Sequence, residues 1–482
     1  MLAVVHVLGS MLMMFSMTYV LPVATSIIFR DGQLVDFLLA AAFCLGVGLV
    51  LWSATRRHKR ELRSRDGFLL VSLGWVLMSA IAAVPLLVAL PGLSFTDAFF
   101  ETMSGLSTTG ATVLVGIEHL PPSINLWRHA LNWYGGMGII VLVVAILPLL
   151  GVGGMQMYRA ETPGPMKDDK LTPRIAQTAK ALWFVYFLIT VACILSLKLA
   201  GMGWFDAICH AFAAMALGGF STHDASVGYF DSARIEFVLI VFMLIAAMNF
   251  SRHFIAWQQK SLRTYATDAE AKAMLAIIGL STLGLSLYVW HDGVYPSFAA
   301  SLRHVAFNLV SIATDCGFVS QDYAVWPIFA PMWILMLSCY CANTGSTGGG
   351  IKMFRTLVLF RQASRELMLL VHPQAVRPVK IGEQVVQNQI VFAVLAFVVL
   401  YFGTVVVLTF SLLASGLDFV SAFSAIIACI NNAGPGLGVV GPAGNYQGLT
   451  DFQTWVCSLA MLLGRLEIFS FLVLFTPVYW RK

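Results

Sequence analysis

Four short segments of the sequence share a residue pattern that could hold an alkali cation. They span residues 97–111, 206–220, 304–318 and 421–435, and each is mainly apolar and has a glycine as its second-to-last residue. The glycine lies 13 positions after the segment begins, at Gly110, Gly219, Gly317 and Gly434. Backbone carbonyls held in a ring can replace the hydration shell of a cation. A period of roughly one hundred residues is too long for a solenoid and indicates four fused pore subunits.

The carbonyl groups next to each glycine are the predicted ligands. Glycine permits backbone geometry that is closed to other residues and leaves no side chain in the way. We predict that four strips of backbone converge on one axis. The strips are Thr108, Thr109 and Gly110; Leu217, Gly218 and Gly219; Asp315, Cys316 and Gly317; and Asn432, Ala433 and Gly434. One glycine after a helix is weak evidence, since glycine is a common C-cap, and ordinary helix hairpins packed through small residues are the alternative.

A glycine-rich stretch and one arginine are candidates for a gate. Residues 343–350, NTGSTGGG, which we call the glycine loop, interrupt an apolar run, and a helix cannot persist through them. An irregular loop at this depth could lie across the permeation path. Arg465 lies inside the last apolar run, where an unpaired arginine costs about 2.5 to 3.5 kcal/mol. Glu467 faces elsewhere on a helix, so we expect carbonyls of the loop to hold Arg465, with snorkelling to the inner surface as the alternative.

Several other kinds of site are disfavoured. Gly350 is followed by Ile351 and Lys352, which breaks the Walker A pattern, and the GxGxxG at residues 436–441 follows a re-entrant helix rather than a strand. The eight cysteines lie mostly in apolar runs without a metal-ligand spacing. With no nucleophile, base pair or metal constellation, we do not expect an enzyme.

These segments need apolar helices to position them. The chain has 482 residues, is 59% hydrophobic and 11% charged, and has a mean hydropathy of +0.82. Such values, with apolar runs of about 20 residues, predict an all-α integral membrane protein. We expect ten transmembrane helices: an N-terminal pair in residues 1–65, followed by four repeats of span, short segment and span. The repeats occupy residues 66–172, 173–268, 269–381 and 382–482.

The charges are sorted along the chain. Six Lys or Arg in residues 56–65 predict a cytoplasmic loop. The resulting topology, with both termini inside, leaves five basic residues outside: Arg30, Arg128, Lys198, Arg234 and Arg303. It also gives an acidic outer face, including Glu101, Glu236 and Asp315, that would concentrate cations at the mouth. We expect Asp97, Asp206 and Asp418 to be helix caps.

The motifs resemble one family over essentially the whole chain. They are STTGA (107–111), YGGMGI (134–139), ALGGFST (216–222), SIATDCGF (311–318), CANTGSTGGGIK (341–352), NNAGPG (431–436) and LGRLEIFS (463–470). The sequence resembles the Trk/Ktr/HKT superfamily of potassium transporters, and within it the bacterial Trk-type membrane subunit.

That resemblance implies a potassium filter, with potassium transported and no organic cofactor in this chain. It also implies a gate comprising Gly345, Ser346, Thr347, Gly348, Gly349, Gly350, Lys352 and Arg465. The implied setting is a homodimer in the lipid of a bacterial inner membrane, bound to a cytosolic nucleotide-binding regulatory subunit and not to nucleic acid. In related plant transporters a serine at the first filter glycine goes with sodium transport, so Gly110 favours potassium. A sodium-permeable or sodium-coupled relative, and a membrane scaffold or intramembrane enzyme, remain alternatives.

Overall fold

The structure is a computed structural model that describes residues 1–58, 62, 64–138, 175–382 and 384–481. Within these ranges the regular secondary structure is helical, apart from a two-stranded antiparallel hairpin of β1 (Lys380–Ile381) and β2 (Gln384–Val385). The helices, in chain order, are α1 Leu2–Phe15, α2 Val20–Phe29, α3 Leu34–Thr55, α4 Ser64–Ala82, α5 Val84–Ala89, α6 Phe95–Leu106, α7 Pro122–Met137, α8 Ile175–Leu199, α9 Trp204–Ala216, α10 Ala233–Ala246, α11 Phe250–Gln259, α12 Arg263–Ala266, α13 Ala269–His291, α14 Phe298–Ala313, α15 Phe329–Ser338, α16 Met353–Val371, α17 Asn388–Ala414, α18 Phe419–Ile430, α19 Asp451–Arg465, α20 Phe469–Leu472 and α21 Pro477–Trp480.

Among the described residues, six helical stretches are long and apolar enough to cross a membrane, and two bent helix pairs raise the number to eight. They turn apolar side chains outward: on α17, Phe392, Val399 and Phe410 are 66–72% exposed. A soluble protein rarely exposes such a surface. The predicted all-α integral membrane fold is confirmed. Of the two other predicted spans, one runs from α7 into residues outside the described ranges, and the other is divided between α15 and α16.

The N-terminal helices form a closely packed hairpin. A Cβ atom at Gly9 of α1 would lie 2.6 Å from the backbone nitrogen of Trp52 and 2.8 Å from the carbonyl oxygen of Gly48, both on α3. Small residues let helix backbones approach this closely in membranes. The hairpin joins the rest of the protein through Tyr19, which stacks on Trp127 of α7 with ring centroids 4.5 Å apart.

The helices α6, α9, α14 and α18 are the segments between the spans, in the predicted order of span, segment and span, although the span after α14 is divided between α15 and α16. Only one of the three predicted caps is correct. Asp418 caps α18 by accepting the Ser421 N–H at 3.0 Å, and these hydrogen bonds lower the pKa of its carboxyl group. Asp97 instead lies three residues after the cap Ser94, and Asp206 three after Gly203. Acidic residues in a first turn still interact favourably with the helix dipole.

The second and fourth quarters also break below the strips, which the sequence did not predict. The second span of the second quarter bends by 94° between α10 and α11, and that of the fourth bends by 105° after Arg465. In the second quarter Asn249 caps α11, and the Phe250 N–H bonds to the Gly345 carbonyl at 3.1 Å. In the fourth quarter Glu467 and Ile468 both have positive φ, at 53° and 56°. The break in the second quarter is thus held by a hydrogen bond to the third quarter, and the break in the fourth is a left-handed turn.

Two glycines bring the longer helices directly under the short ones. A Cβ atom at Gly135 of α7 would overlap the carbonyl oxygen of Leu106, the last residue of α6. A Cβ atom at Gly464 of α19 would overlap that of Ile430, the last residue of α18. The C-terminal ends of α6 and α18 thus rest on backbone.

We predict that Gly464→Ala lowers the thermal unfolding temperature of the detergent-solubilised protein. The methyl group must displace the Ile430 carbonyl, and such overpacking typically costs about 1 to 3 kcal/mol. The matched control is Gly403→Ala in α17, where nothing lies within 4 Å of the added Cβ. Equal unfolding temperatures for the two variants would contradict the prediction.

Candidate functional site

The helices α6, α9, α14 and α18 end in the same way. The residue two positions before each segment glycine has a left-handed backbone, with φ of 57° at Thr108, 54° at Leu217, 65° at Asp315 and 57° at Asn432. The next residue donates its N–H back into the helix at 2.8–2.9 Å, as Thr109 does to Ser104 and Cys316 to Ser311. Glycine usually occupies such a left-handed helix end. Four non-glycine residues there, each costing of order 1–3 kcal/mol, indicate strain held by the surrounding structure.

The segment glycines are also left-handed. Their φ values are 79° at Gly110, 64° at Gly219, 91° at Gly317 and 86° at Gly434, whereas the residue between has negative φ. All four strips thus repeat one backbone conformation, although only the glycines are shared among them.

The strips lie against each other in a closed ring. A Cβ atom at Gly317 would lie 2.5 Å from the Ala433 carbonyl oxygen, and one at Gly434 would lie 2.6 Å from that of Thr109. The other two glycines are in even closer contact, Gly110 with the Gly218 carbonyl and Gly219 with the Cys316 carbonyl. Each strip therefore touches the next, the fourth touches the first, and no side chain fits at any of the glycines.

All four glycines line one cavity of about 80 Å³. Because the short helices end at the strips, their carbonyl ends, which carry partial negative charge, point toward this ring. The arrangement suits a cation and disfavours an anion.

A buried ion pair supports the first two strips. Glu101 and Arg128 are each 1% exposed, with Oε1 and Nε 2.7 Å apart. Glu101 also accepts the Val113 N–H at 3.1 Å, and the Arg128 guanidinium lies 4.4 Å from the centroid of the Phe220 ring. The expectation that Glu101 and Arg128 are exposed on the outer face is therefore wrong, because both are buried inside the protein. Arg128 is the only Lys or Arg in α7, and Glu101 lies in the mainly apolar α6, which was the available signal.

Two further acids expected on the outer face are buried as well. Glu236 is 3% exposed and bonds to Arg303, and Asp315 is fully buried. The acidic face at the mouth is therefore smaller than predicted.

The glycine loop lies directly below the strips. Gly348 approaches the Thr314 carbonyl, 3.0 Å from where its Cβ would lie, and a Cβ at Gly349 would overlap the Asn431 carbonyl. The loop bonds to the second quarter, where Thr347 Oγ1 donates to the Met215 carbonyl at 3.1 Å. Ser346 bonds within the loop to the Asn343 carbonyl, and Gly350 is left-handed with φ of 71°.

Arg465 joins the loop to the first quarter. Its Nη1 donates to Thr108 Oγ1 at 3.2 Å and to the Thr347 carbonyl at 3.1 Å. Its Nη2 donates to the carbonyl oxygens of Gly135 and Gly136. The guanidinium thus bonds within the protein at the level of the strips. Glu467, which sequence reasoning left without a role, accepts Arg355 Nη2 at 2.6 Å.

Comparisons with known proteins find relatives over the length of the chain. Residues 34–482 match the family model TrkH, described as cation transport protein. The Trk system potassium uptake protein TrkH of Salmonella typhimurium is 46% identical over 481 residues, which cover 100% of this chain and 99% of that protein. TrkG of Escherichia coli, also named a Trk system potassium uptake protein, is 40% identical over 482 residues and 98% of its length. The crystal structure of the potassium transporter TrkH from Vibrio parahaemolyticus superposes with a TM-score of 0.90, covering 100% of this chain and 99% of that one at 44% identity.

We predict that Arg128→Gln destabilises the protein strongly. Removing one member of a buried ion pair leaves the other charge uncompensated, which costs about 3 to 5 kcal/mol. Arg252→Gln is the control, because Arg252 is 36% exposed and lies 3.6 Å from Asp268, an arrangement worth about 1 kcal/mol or less. Thermal unfolding in detergent compares them, and a similar loss in both would show that the Arg128 pair is not structural.

Proposed function

This chain belongs to the TrkH family of cation transport proteins, which are transporters and not enzymes, and from that premise we propose that it takes up potassium across a bacterial inner membrane. The relatives named above are potassium uptake proteins over nearly the same length. The closed ring of four strips is the observation that carries the proposal.

In this proposal the ring of four strips selects the ion that passes. Each strip contributes carbonyl groups around the axis, and those of Thr109, Gly218, Cys316 and Ala433 each rest on the glycine of a neighbouring strip. Their positions are therefore set by backbone packing. Carbonyl oxygens in such a ring replace the water that a potassium ion loses on entry. Asp315, Leu217 and Asn432 take part through the backbone.

The glycine loop and Arg465 form the gate in this proposal. The loop lies beneath the strips, and Arg465 bonds to the Thr347 carbonyl on one side and to Thr108 on the other. In the closed state the arginine holds residues 345–350 and Lys352 under the ring. Conduction requires that these bonds break.

We further propose the assembly and orientation that the family resemblance implies. The protein is a homodimer with both termini cytoplasmic, and a cytosolic nucleotide-binding subunit regulates it. The curated relatives are named as parts of a Trk system, which supports a regulatory partner. Its docking surface would be the basic cytoplasmic side.

Ion flux into proteoliposomes tests the proposed function. The purified chain is reconstituted with and without the regulatory subunit, and uptake of potassium, rubidium and sodium is compared. We expect potassium and rubidium to enter and sodium to be largely excluded. Sodium entry at the potassium rate would indicate a sodium-permeable relative, and no flux of any ion would favour a scaffold.

Gly434→Ser should reduce selectivity for potassium over sodium. The serine Cβ would lie 2.6 Å from the Thr109 carbonyl oxygen, so the ring must open between the fourth and first strips. Gly416→Ser is the control, because Gly416 has a similar φ of 92° but nothing within 4 Å. The sodium-to-potassium flux ratio should rise only for Gly434→Ser, and an unchanged ratio would argue against a filter at these residues.

Arg465→Ala should raise potassium flux in the absence of the regulatory subunit by about tenfold or more. It removes charge-assisted hydrogen bonds to the loop, each worth about 1.5–3 kcal/mol, and so destabilises the closed state. Arg361→Ala, at an exposed position on α16, should leave flux unchanged. If Arg465→Ala changed neither the flux nor its regulation, Arg465 would not be part of the gate.

A further inference from the structure

The left-handed residue at the start of each strip has a different side chain in each quarter. Thr108 accepts a hydrogen bond from Arg465, and Asn432 donates to the Met461 carbonyl at 3.1 Å. Leu217 is apolar. Asp315 is the only acidic residue among the four, and it is completely buried.

Asp315 and Lys352 bond to opposite ends of one peptide group. Asp315 Oδ2 accepts the Gly349 N–H at 3.1 Å. Lys352 is buried, with 3% of the residue exposed, and its Nζ donates to the Gly348 carbonyl. The Gly348 carbonyl and the Gly349 N–H belong to the same peptide unit. An acidic side chain therefore holds its donor end and a basic side chain holds its acceptor end.

This arrangement matches the dipole of the peptide group. Each peptide unit has a dipole of about 3.5 D with its positive end at the N–H. A carboxyl oxygen at that end and an ammonium group at the carbonyl end both interact favourably with it. Hydrogen bonds to charged groups contribute more than neutral ones, and leaving a buried peptide group unpaired is costly.

The same peptide group has no room to move sideways. A Cβ atom at Gly348 would lie 2.8 Å from the Ala342 Cβ and 3.3 Å from Asp315 Oδ2. On the other side Gly349 contacts the Asn431 carbonyl, immediately before the fourth strip. The peptide can leave this position only if Asp315 and Lys352 release it.

We propose that Asp315 and Lys352 form a clamp on the Gly348–Gly349 peptide, and that Asp315 is thereby a positioning residue that couples the third strip to the glycine loop. The proposal rests on the proposed filter and gate, and it assigns the acidic side chain a task distinct from its backbone in the strip. The clamp and Arg465 hold neighbouring peptide groups, since Arg465 bonds to the Thr347 carbonyl. When the loop is displaced, the Asp315 side chain at the start of the third strip loses its hydrogen bond to the Gly349 N–H.

The test uses Asp315→Leu, Lys352→Met and the double variant, with potassium flux measured in proteoliposomes without the regulatory subunit. Leucine is chosen because Leu217 occupies the equivalent left-handed position in the second strip. We expect each single variant to raise basal flux by about tenfold, and the double variant to stay within about twofold of the larger single effect. The two side chains hold one peptide group from opposite ends, so losing either bond is expected to let the peptide turn away from the other.

Controls separate the clamp from a general effect on the pore. Lys260→Met replaces an exposed lysine that also has a left-handed backbone, with φ of 49°, and it should not change flux. If the double variant equals the product of the two single effects, or if neither single variant changes basal flux while Arg465→Ala does, the clamp is wrong and the gate stands. If Arg465→Ala also has no effect, the proposed gate itself fails. Size-exclusion chromatography verifies folding, and the double variant, which buries neither charge, serves if a single variant does not fold.

Discussion

Contact between each segment glycine and a carbonyl oxygen of the next quarter is the constraint on which the rest of the structure depends. These contacts close only when all four short helices end at the same level with the same backbone conformation. That requirement explains why strained, left-handed residues occur at Thr108, Leu217, Asp315 and Asn432. It also explains the support around the ring, from the Glu101–Arg128 pair behind it and from Gly135 and Gly464 below it.

Below the ring, several helices end at a depth where membrane-spanning helices are normally continuous. Irregular backbone at membrane depth is tolerated only where its polar groups find partners or line a cavity. Here the glycine loop supplies many of those partners: Asn343 donates to the Ala247 carbonyl, and Phe250 donates to Gly345. Backbone groups at the break in the second quarter therefore form hydrogen bonds with backbone groups at the break in the third. The glycine loop therefore stabilises the helix ends next to it and is also a candidate gate.

The sequence predicted the features that depend on local residue types and spacing. The fold class, the order of span, segment and span, and the break at residues 343–350 followed from apolar runs and glycines. The bend after Ala246 was missed because Ala247, Met248 and Asn249 contain neither proline nor glycine, and hydrogen bonds to the distant glycine loop produce it. The bend after Arg465 lies beside Glu467, whose partner Arg355 is 112 residues away. Counting charges between spans could not reveal that Glu101 and Arg128 form an ion pair in the protein interior.

The different residues at the four equivalent left-handed positions follow from joining the quarters in one chain. In a pore built from four identical subunits, every mutation occurs four times around the axis, so an acidic residue at this position would place four buried carboxyl groups together. In a single chain each mutation changes only one of the four equivalent positions. Asp315 could thus arise beside Leu217 without that penalty, and one side of the pore could acquire a task that the other three do not share.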